Sequence, residues 1–345
     1  MSSSTDPSHQ HSNGNNGFDA QPASNGSEGS DSDHGDDTSS VVELEPDDFP
    51  GYFSERDGRL FHAGSSPYPL PVDAPEQQRF ALEHDLLRRF LQANYVGPVA
   101  ELFSDPGRNM ALDLCTGTGT WVMEMAQEFP QVRFRAFDIV PIATRYPFEN
   151  VQFEVDDVNN HLRWNNATFD LVHARIIAMA VRDYPQVLQE VARVLRPGGL
   201  FLSLEWSPYP TLDPSIQQDP VTYAPASTRF HDAINRALLD RQGLRPIAGQ
   251  VHTLLADAGV FQEISSTPYH IPIGAWSTDP FLRNIGATCR DINEIYTSSV
   301  KPLLIDSGWT EGQLNRLFAD FIREIRSLNG LVSVLYVVHA RKAQT

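Results

Sequence analysis

From Met110 onward, short apolar runs alternate with stretches of helical periodicity, and no other feature constrains the fold as strongly. The runs are Met110 to Cys115, Val132 to Ile139, Val151 to Val155 and Phe169 to His173, with a helical pattern at Trp121 to Phe129. Near-continuous apolar strands alternating with helices predict an α/β fold, a mostly parallel sheet covered by helices on both faces. A further helix is predicted over Tyr184 to Leu195, where Val187, Leu188, Val191, Val194 and Leu195 share one face. Arg196-Pro197-Gly198-Gly199 stops it, and Leu200 to Trp206 reads as the next strand. Phe261 to Ile273 and Leu331 to Arg341 read as late strands, with a helical insertion between them at about 275–330.

The first 40 residues have a different character. They carry seven acids, no Lys or Arg and almost no apolar side chains, so they cannot bury enough surface to offset the entropy of ordering. Residues 1–45 are expected to be a disordered acidic tail, 46–105 an arm and a helix, and 106–345 the main domain. The arm, with Tyr52, Phe53 and Tyr68, is expected to lack regular secondary structure and to fold over a ligand. In the helix Phe80, Leu82, Leu86, Leu87, Phe90 and Leu91 recur at helical intervals, and Glu76, Arg79, Glu83, Asp85 and Arg88 occupy the rest of the turn.

With 44 acids against 26 Lys and Arg, the 345-residue chain carries a formal charge of −18, which argues against direct nucleic-acid binding. The apolar stretch Leu331 to His339 is about half the length that a membrane span needs. Two cysteines, Cys115 and Cys289, do not make a disulfide framework, and no secretory leader is seen, so a cytoplasmic protein is expected. The histidines are dispersed and no metal site is expected. Phosphate-loop and nucleophile-elbow motifs are missing as well, so nucleotide hydrolysis and acyl transfer lose support.

The sharpest local signal is Ala111-Leu112-Asp113-Leu114-Cys115-Thr116-Gly117-Thr118-Gly119-Thr120-Trp121, a strand that ends in an acid and enters a helix through alternate glycines. A dinucleotide fingerprint would place a third glycine where Val122 stands, and Asp113 would face the pyrophosphate. An acid before such a turn suits a ligand with an ammonium group and a positive centre. Asp138 closes the next strand about twenty residues on, where a carboxylate can accept from both hydroxyls of a ribose. Asp156-Asp157-Val158 follows the third strand, so three strands deliver acids to one sheet edge. His173 and Arg175 end the fourth strand, and Glu205-Trp206 the fifth.

Together these residues resemble the class I S-adenosylmethionine-dependent methyltransferases, with Asp113 to Gly119, Asp138 and Asp156-Asp157 as successive motifs and Arg196-Pro197-Gly198-Gly199 as the turn after a helix. Glu55 to His62, Tyr68 to Asp73, Glu76, Arg79 and Trp121 are similar to the fungal LaeA-like branch, and the resemblance covers about Phe49 to Lys342. It implies a Rossmann-like, seven-stranded, mostly parallel sheet with a reversed final hairpin and a helical lid. It implies S-adenosyl-L-methionine as cofactor, with Asp113, Gly117 and Gly119 around the methionine part, Asp138 at the ribose and Asp157 at the adenine amino group. Cys115, Thr116, Ile139, Asp156 and Val158 complete the expected cofactor set. Cys115 departs from the family, which usually has glycine there, so the backbone must accept a side chain.

The implied activity is methyl transfer to a small-molecule acceptor, at oxygen or nitrogen, in fungal secondary metabolism. His173 is the expected base if a proton must leave the acceptor, and Glu205 the group that orients it. The same resemblance supports a regulator of secondary-metabolite gene expression working in the nucleus with velvet-type protein partners, and Cys115 motivates a third reading as a scaffold without cofactor. Sequence leaves the acceptor and the oligomeric state open.

Overall fold

A computed structural model describes residues 43–45, 47–141, 144 and 146–344. The chain divides into residues 1–34 and 35–345, and every described residue belongs to the second unit. The acidic tail expected over residues 1–45 therefore lies, apart from its last three residues, outside the described residues.

After a short 3-10 turn at Phe49–Tyr52 the described chain forms an antiparallel hairpin, β1 (Phe53–Arg56) and β2 (Arg59–His62). This corrects the expectation of an arm without regular structure. Asp57 and Gly58 both take positive φ, 52° and 72°, as a two-residue hairpin turn requires, and Asp-Gly is the local signal for it.

Next comes α1 (Ala74–Leu91), capped by Asp73, whose carboxylate accepts from the Glu76 amide at 3.3 Å and from Arg59 at 2.6 and 3.0 Å. Its polar face is not solvent-facing as the periodicity suggested: Glu76, Arg79 and Glu83 are buried, while Leu82 is exposed. The reason is mutual satisfaction. Arg79 pairs with Glu76 at 2.8 Å and Glu83 at 3.5 Å, Glu76 also takes the Ser299 hydroxyl, and Glu83 accepts from Trp206 Nε1 at 2.9 Å.

The α/β part runs α2 (Val99–Leu102), β3 (Met110–Leu114), α3 (Thr120–Glu128), β4 (Arg133–Asp138), β5 (Val151–Val155), β6 (Phe169–Arg175), α4 (Tyr184–Val194), β7 (Leu195–Trp206) and the two-residue β8 (Thr211–Leu212). After it come α5 (Pro220–Tyr223), α6 (Pro225–Gln242), α7 (Val251–Asp257), β9 (Phe261–Pro272), α8 (Pro280–Asp306), α9 (Glu311–Ser327) and β10 (Leu331–Lys342). Seven long strands stand in the order β5-β4-β3-β6-β7-β10-β9, with β8 pairing the first two residues of β10 beyond the end of β7. The pairings among β3 to β7 are parallel, and β10 is antiparallel to β7, β8 and β9. Sheet, helical cover and reversed last strand are those expected, and the inserted helices are α8 and α9.

Strands β3 and β6 are buried almost throughout because helices cover both faces of the sheet. Ala111 and Leu171 pack with Val99, Met125 and Ala126 on one face, and Leu112 and Val172 with Val187, Leu188 and Val191 on the other. At the strands' starting edge, fully buried Asp170 accepts from the amides of Asn109 (2.9 Å) and Met110 (3.1 Å) and pairs with Arg108 and Arg196. Gly199 is demanded here, since a Cβ would come within 2.8 Å of the Arg196 carbonyl and 3.1 Å of that of Asp170. The second half of the core is helical, with Phe230 of α6 stacked on Phe321 of α9 at 4.0 Å.

The sheet order changes direction between β3 and β6, because β4 and β5 lie to one side of β3 and β6 to the other. In an open α/β sheet the crevice for a ligand lies there, outside the carboxyl ends of the strands.

Candidate functional site

At this switch point the loop from β3 to α3 takes left-handed backbone at alternate residues: Cys115 (φ 53°), Gly117 (60°) and Gly119 (73°). Cys115 therefore does what the usual glycine does, with a side chain in place. Its thiol stays protonated, because burial first and the charges of Asp138, Asp157 and Asp113 next push its pKa up. The Thr116 amide donates to the Phe137 carbonyl at 2.9 Å, which ties the loop to β4, while the buried Thr116 hydroxyl has no partner.

Asp138, at the end of β4, accepts from the Gly117 amide and the Ile139 amide, each at 2.8 Å. Burial raises its pKa to about 6 against the pull of those amides. Asp113 is buried on β3, directly opposite His173 of β6 in the register, and its Oδ1 lies 2.7 Å from His173 Nδ1. The His173 ring stacks under Trp121 at 3.6 Å, and its Nε2 has no partner. Burial pushes the His173 pKa down and Asp113 opposes the shift, so the neutral ring donates from Nδ1 to the carboxylate.

Asp113, Cys115, Thr116, Gly117, Asp138, Ile139 and His173 all line one cleft, joined by Tyr68 from the arm and by Phe80 and His84 from α1. Gly119 stands one step behind them as the cap of α3. The structure does not bring Asp156, Asp157 or Val158 to the lining. The Asp156 carboxylate accepts from the Asp157 amide (2.7 Å), that of Asp157 from Asn159 (2.6 and 3.0 Å), and Val158 is buried in the core. Tyr52 and Phe53 are likewise not on the cleft, although Tyr68 is.

A second, mostly apolar cavity adjoins the first and shares Arg79, Glu83, Ile176 and Met179 with it. Its walls include Trp206, Ile234 and Leu238 of α6, Ile292 and Tyr296 of α8, and Glu205. Glu205 Oε1 accepts from the Ile177 amide at 2.9 Å, and burial pushes its pKa up to about 8. His231, whose Nδ1 sits 2.8 Å from the Ser227 carbonyl, is held neutral by burial at about 4. Sequence reading missed Phe80, His84, Ile176 and Met179. The available signal for the first two was that α1 keeps polar residues at 76, 79, 83 and 84, a spacing that suits a buried network as well as a wet face.

A family model described as a methyltransferase domain matches residues 108–259. Methyltransferase pytC of Aspergillus terreus is 30% identical over 72% of this chain and 74% of its own length. The chain belongs to the LaeA-like class I methyltransferases. The secondary metabolism regulator laeA of Coprinopsis cinerea is 28% identical over 78% of the chain and 69% of its own length. The protein-methionine methyltransferase laeA of Emericella nidulans is 26% identical over 84% and 76%. This LaeA-like protein is thus a methyltransferase, and its cofactor is S-adenosyl-L-methionine.

The cleft fits that cofactor. Asp113 offers a carboxylate to an ammonium or sulfonium cation, and Asp138 keeps acceptor capacity beyond its two amide contacts for ribose hydroxyls. The unpartnered Thr116 hydroxyl adds a buried polar group to this lining. Phe80, Ile139 and Val140 supply apolar surface. Among the described residues no cluster of His, Cys, Asp or Glu is arranged to hold a metal ion, and no helix is long and apolar enough to cross a membrane.

Proposed function

We propose that this methyltransferase acts on a small-molecule acceptor, at oxygen or nitrogen, in secondary metabolism. The observation that carries the reading is the apolar second cavity, which meets the cofactor cleft at Arg79, Glu83, Ile176 and Met179. When bound, S-adenosyl-L-methionine supplies an electrophilic methyl group. The chain's own task is to hold an acceptor beside the cleft and to keep water out.

Of the two residues expected to act on the acceptor, His173 as base and Glu205 as orienting group, Glu205 lines the second cavity and His173 the cofactor cleft. With a pKa near 8, Glu205 is suited to exchange a proton with a hydroxyl or phenol close to neutral pH. His173, clamped between Asp113 and Trp121, orients the Asp113 carboxylate. The reading includes a cytoplasmic site of action.

The test is incubation of the full chain with methyl-labelled cofactor and extracts from a strain lacking the gene, followed by mass spectrometry. A small molecule that gains one methyl group only with active protein supports the proposal. Label found solely in protein rejects it.

A second reading is favoured by the names of the laeA relatives: a regulator of secondary metabolism whose acceptor is protein, with velvet-type partners as the sequence resemblance implies. Met179 is the methionine for such a reaction, since it lines both cavities and its sulfur lies 3.8 Å from the Tyr296 hydroxyl. Intact-mass analysis after incubation with cofactor decides, with a one-methyl gain that Met179→Leu abolishes.

A further inference from the structure

Two arginines line the cofactor cleft, and they differ in how their charge is met. Arg79 is compensated by Glu76 and Glu83. Arg175, at the end of β6, makes no ion pair with any carboxylate among the described residues; its only hydrogen-bond contact is Nη1 to His84 Nδ1 at 3.1 Å. A guanidinium is always a donor, so this His84 nitrogen must be the acceptor and the ring proton must sit on Nε2. That nitrogen lies 3.3 Å from Glu124 of α3, whose carboxylate also meets Arg88 at 3.1 Å. His84, kept neutral by burial and by the Arg175 charge, therefore fixes the guanidinium from behind without neutralising it.

The position of Arg175 is as informative as its charge. His173 stands opposite Asp113 in the β3–β6 register, and Arg175 is two residues further on the same face of the strand, about 7 Å along. A buried carboxylate and a guanidinium that makes no ion pair thus line one cleft across the switch point, the arrangement that an amino-acid zwitterion requires. Arg175 lines only the cofactor cleft and not the second cavity, so the anion it meets belongs to the cofactor and not to the acceptor.

We propose that Arg175 anchors the α-carboxylate of the methionine part of S-adenosyl-L-methionine, with His84 as the positioning residue that presents it. The proposal rests on the cofactor assignment. Two parallel N–H···O bonds make guanidinium the suited partner for a carboxylate, and a lysine at this place would give one point contact only.

The experiment is calorimetric titration of the full chain with S-adenosylmethionine and with its decarboxylated analogue, for wild type, Arg175→Met and Arg175→Lys. Wild type is expected to prefer the complete cofactor by about tenfold or more, Arg175→Lys by less, and Arg175→Met not at all. The analogue's affinity for Arg175→Met should equal or exceed its affinity for wild type, because a cation facing a cation has been removed. Equal weakening of both ligands by Arg175→Met overturns the anchor and leaves Arg175 a residue that shapes the cleft. Equal affinity of wild type for the two ligands overturns it without any variant, so a variant that fails to fold does not decide the matter. A wild type that binds neither ligand overturns the cofactor assignment and the anchor together.

Discussion

Asp138 and Glu205 are both carboxyl groups whose pKa burial raises, to about 6 and about 8, yet their partners give them different work. Asp138 holds the glycine loop through the Gly117 amide and closes its own strand end through the Ile139 amide, so Asp138→Ala should weaken S-adenosylhomocysteine binding by about 100-fold while the protein remains folded, as titration and a melting curve would show. Retained affinity would refute its place at the ribose. Glu205 gives a pH signature. Its proton is held more tightly in the native than in the unfolded chain, so its contribution to stability is full below about pH 4.5 and is lost as pH rises through about 8, at up to about 1.4 kcal/mol per pH unit. Glu205→Gln keeps an acceptor for the Ile177 amide and has nothing to ionise, so its melting temperature should exceed that of wild type increasingly from pH 6 to 9. Asp138 titrates in both proteins and cancels in the difference. Parallel curves would show that Glu205 ionises as freely in the fold as outside it.

Among the elements, most of those with a strong period were readable to within two residues; the exception is β7, which starts at Leu195 and takes in Arg196 to Gly199, expected as a stop before a strand from Leu200. Val151–Val155 and the start of β10 at Leu331 match the sequence reading, and α4 ends one residue before the predicted Leu195. Apolar runs flanked by turns have few alternatives once helices must cover them. What escaped was set by long-range partners. β8 exists only because β10 offers two residues beyond the end of β7, and the polar face of α1 is buried only because Trp206 and Ser299 come to meet it. The site divides in the same way: Asp113, Gly117 and Asp138 follow from their strand ends and line the cleft, whereas Asp157, read from a strand end as well, has its carboxylate held by Asn159, a contact that the strand pattern does not show. The α1 network is itself testable. Arg79→Met leaves Glu76, which is 0% exposed, and Glu83 without their cation, which should cost about 3–5 kcal/mol in urea unfolding at pH 7. A loss below about 1 kcal/mol would show that the two buried glutamates do not depend on the arginine's charge.

At the scale of the whole molecule, the cofactor cleft is a seam between α1, the arm at Tyr68 and the ends of β3, β4 and β6, and the second cavity continues it between α1, α6 and α8. The helices that wall the cavity are the same ones that form the second half of the core, so the groups that shape the cavity also hold the protein together. A ligand that fills the seam touches segments far apart in sequence and binds only when all of them are in place, so its binding energy adds directly to folding stability. At a hundredfold excess over Kd the gain is about 2.7 kcal/mol. For a body of this size that is a rise of about 4 °C in melting temperature. S-adenosylhomocysteine should produce this shift in wild type and less than about 1 °C in Asp138→Ala at the same concentration. A variant that melts like wild type without ligand but fails to shift with it separates loss of the ribose contact from loss of the fold. A shift of equal size in both would mean that the product stabilises the protein from somewhere other than this cleft.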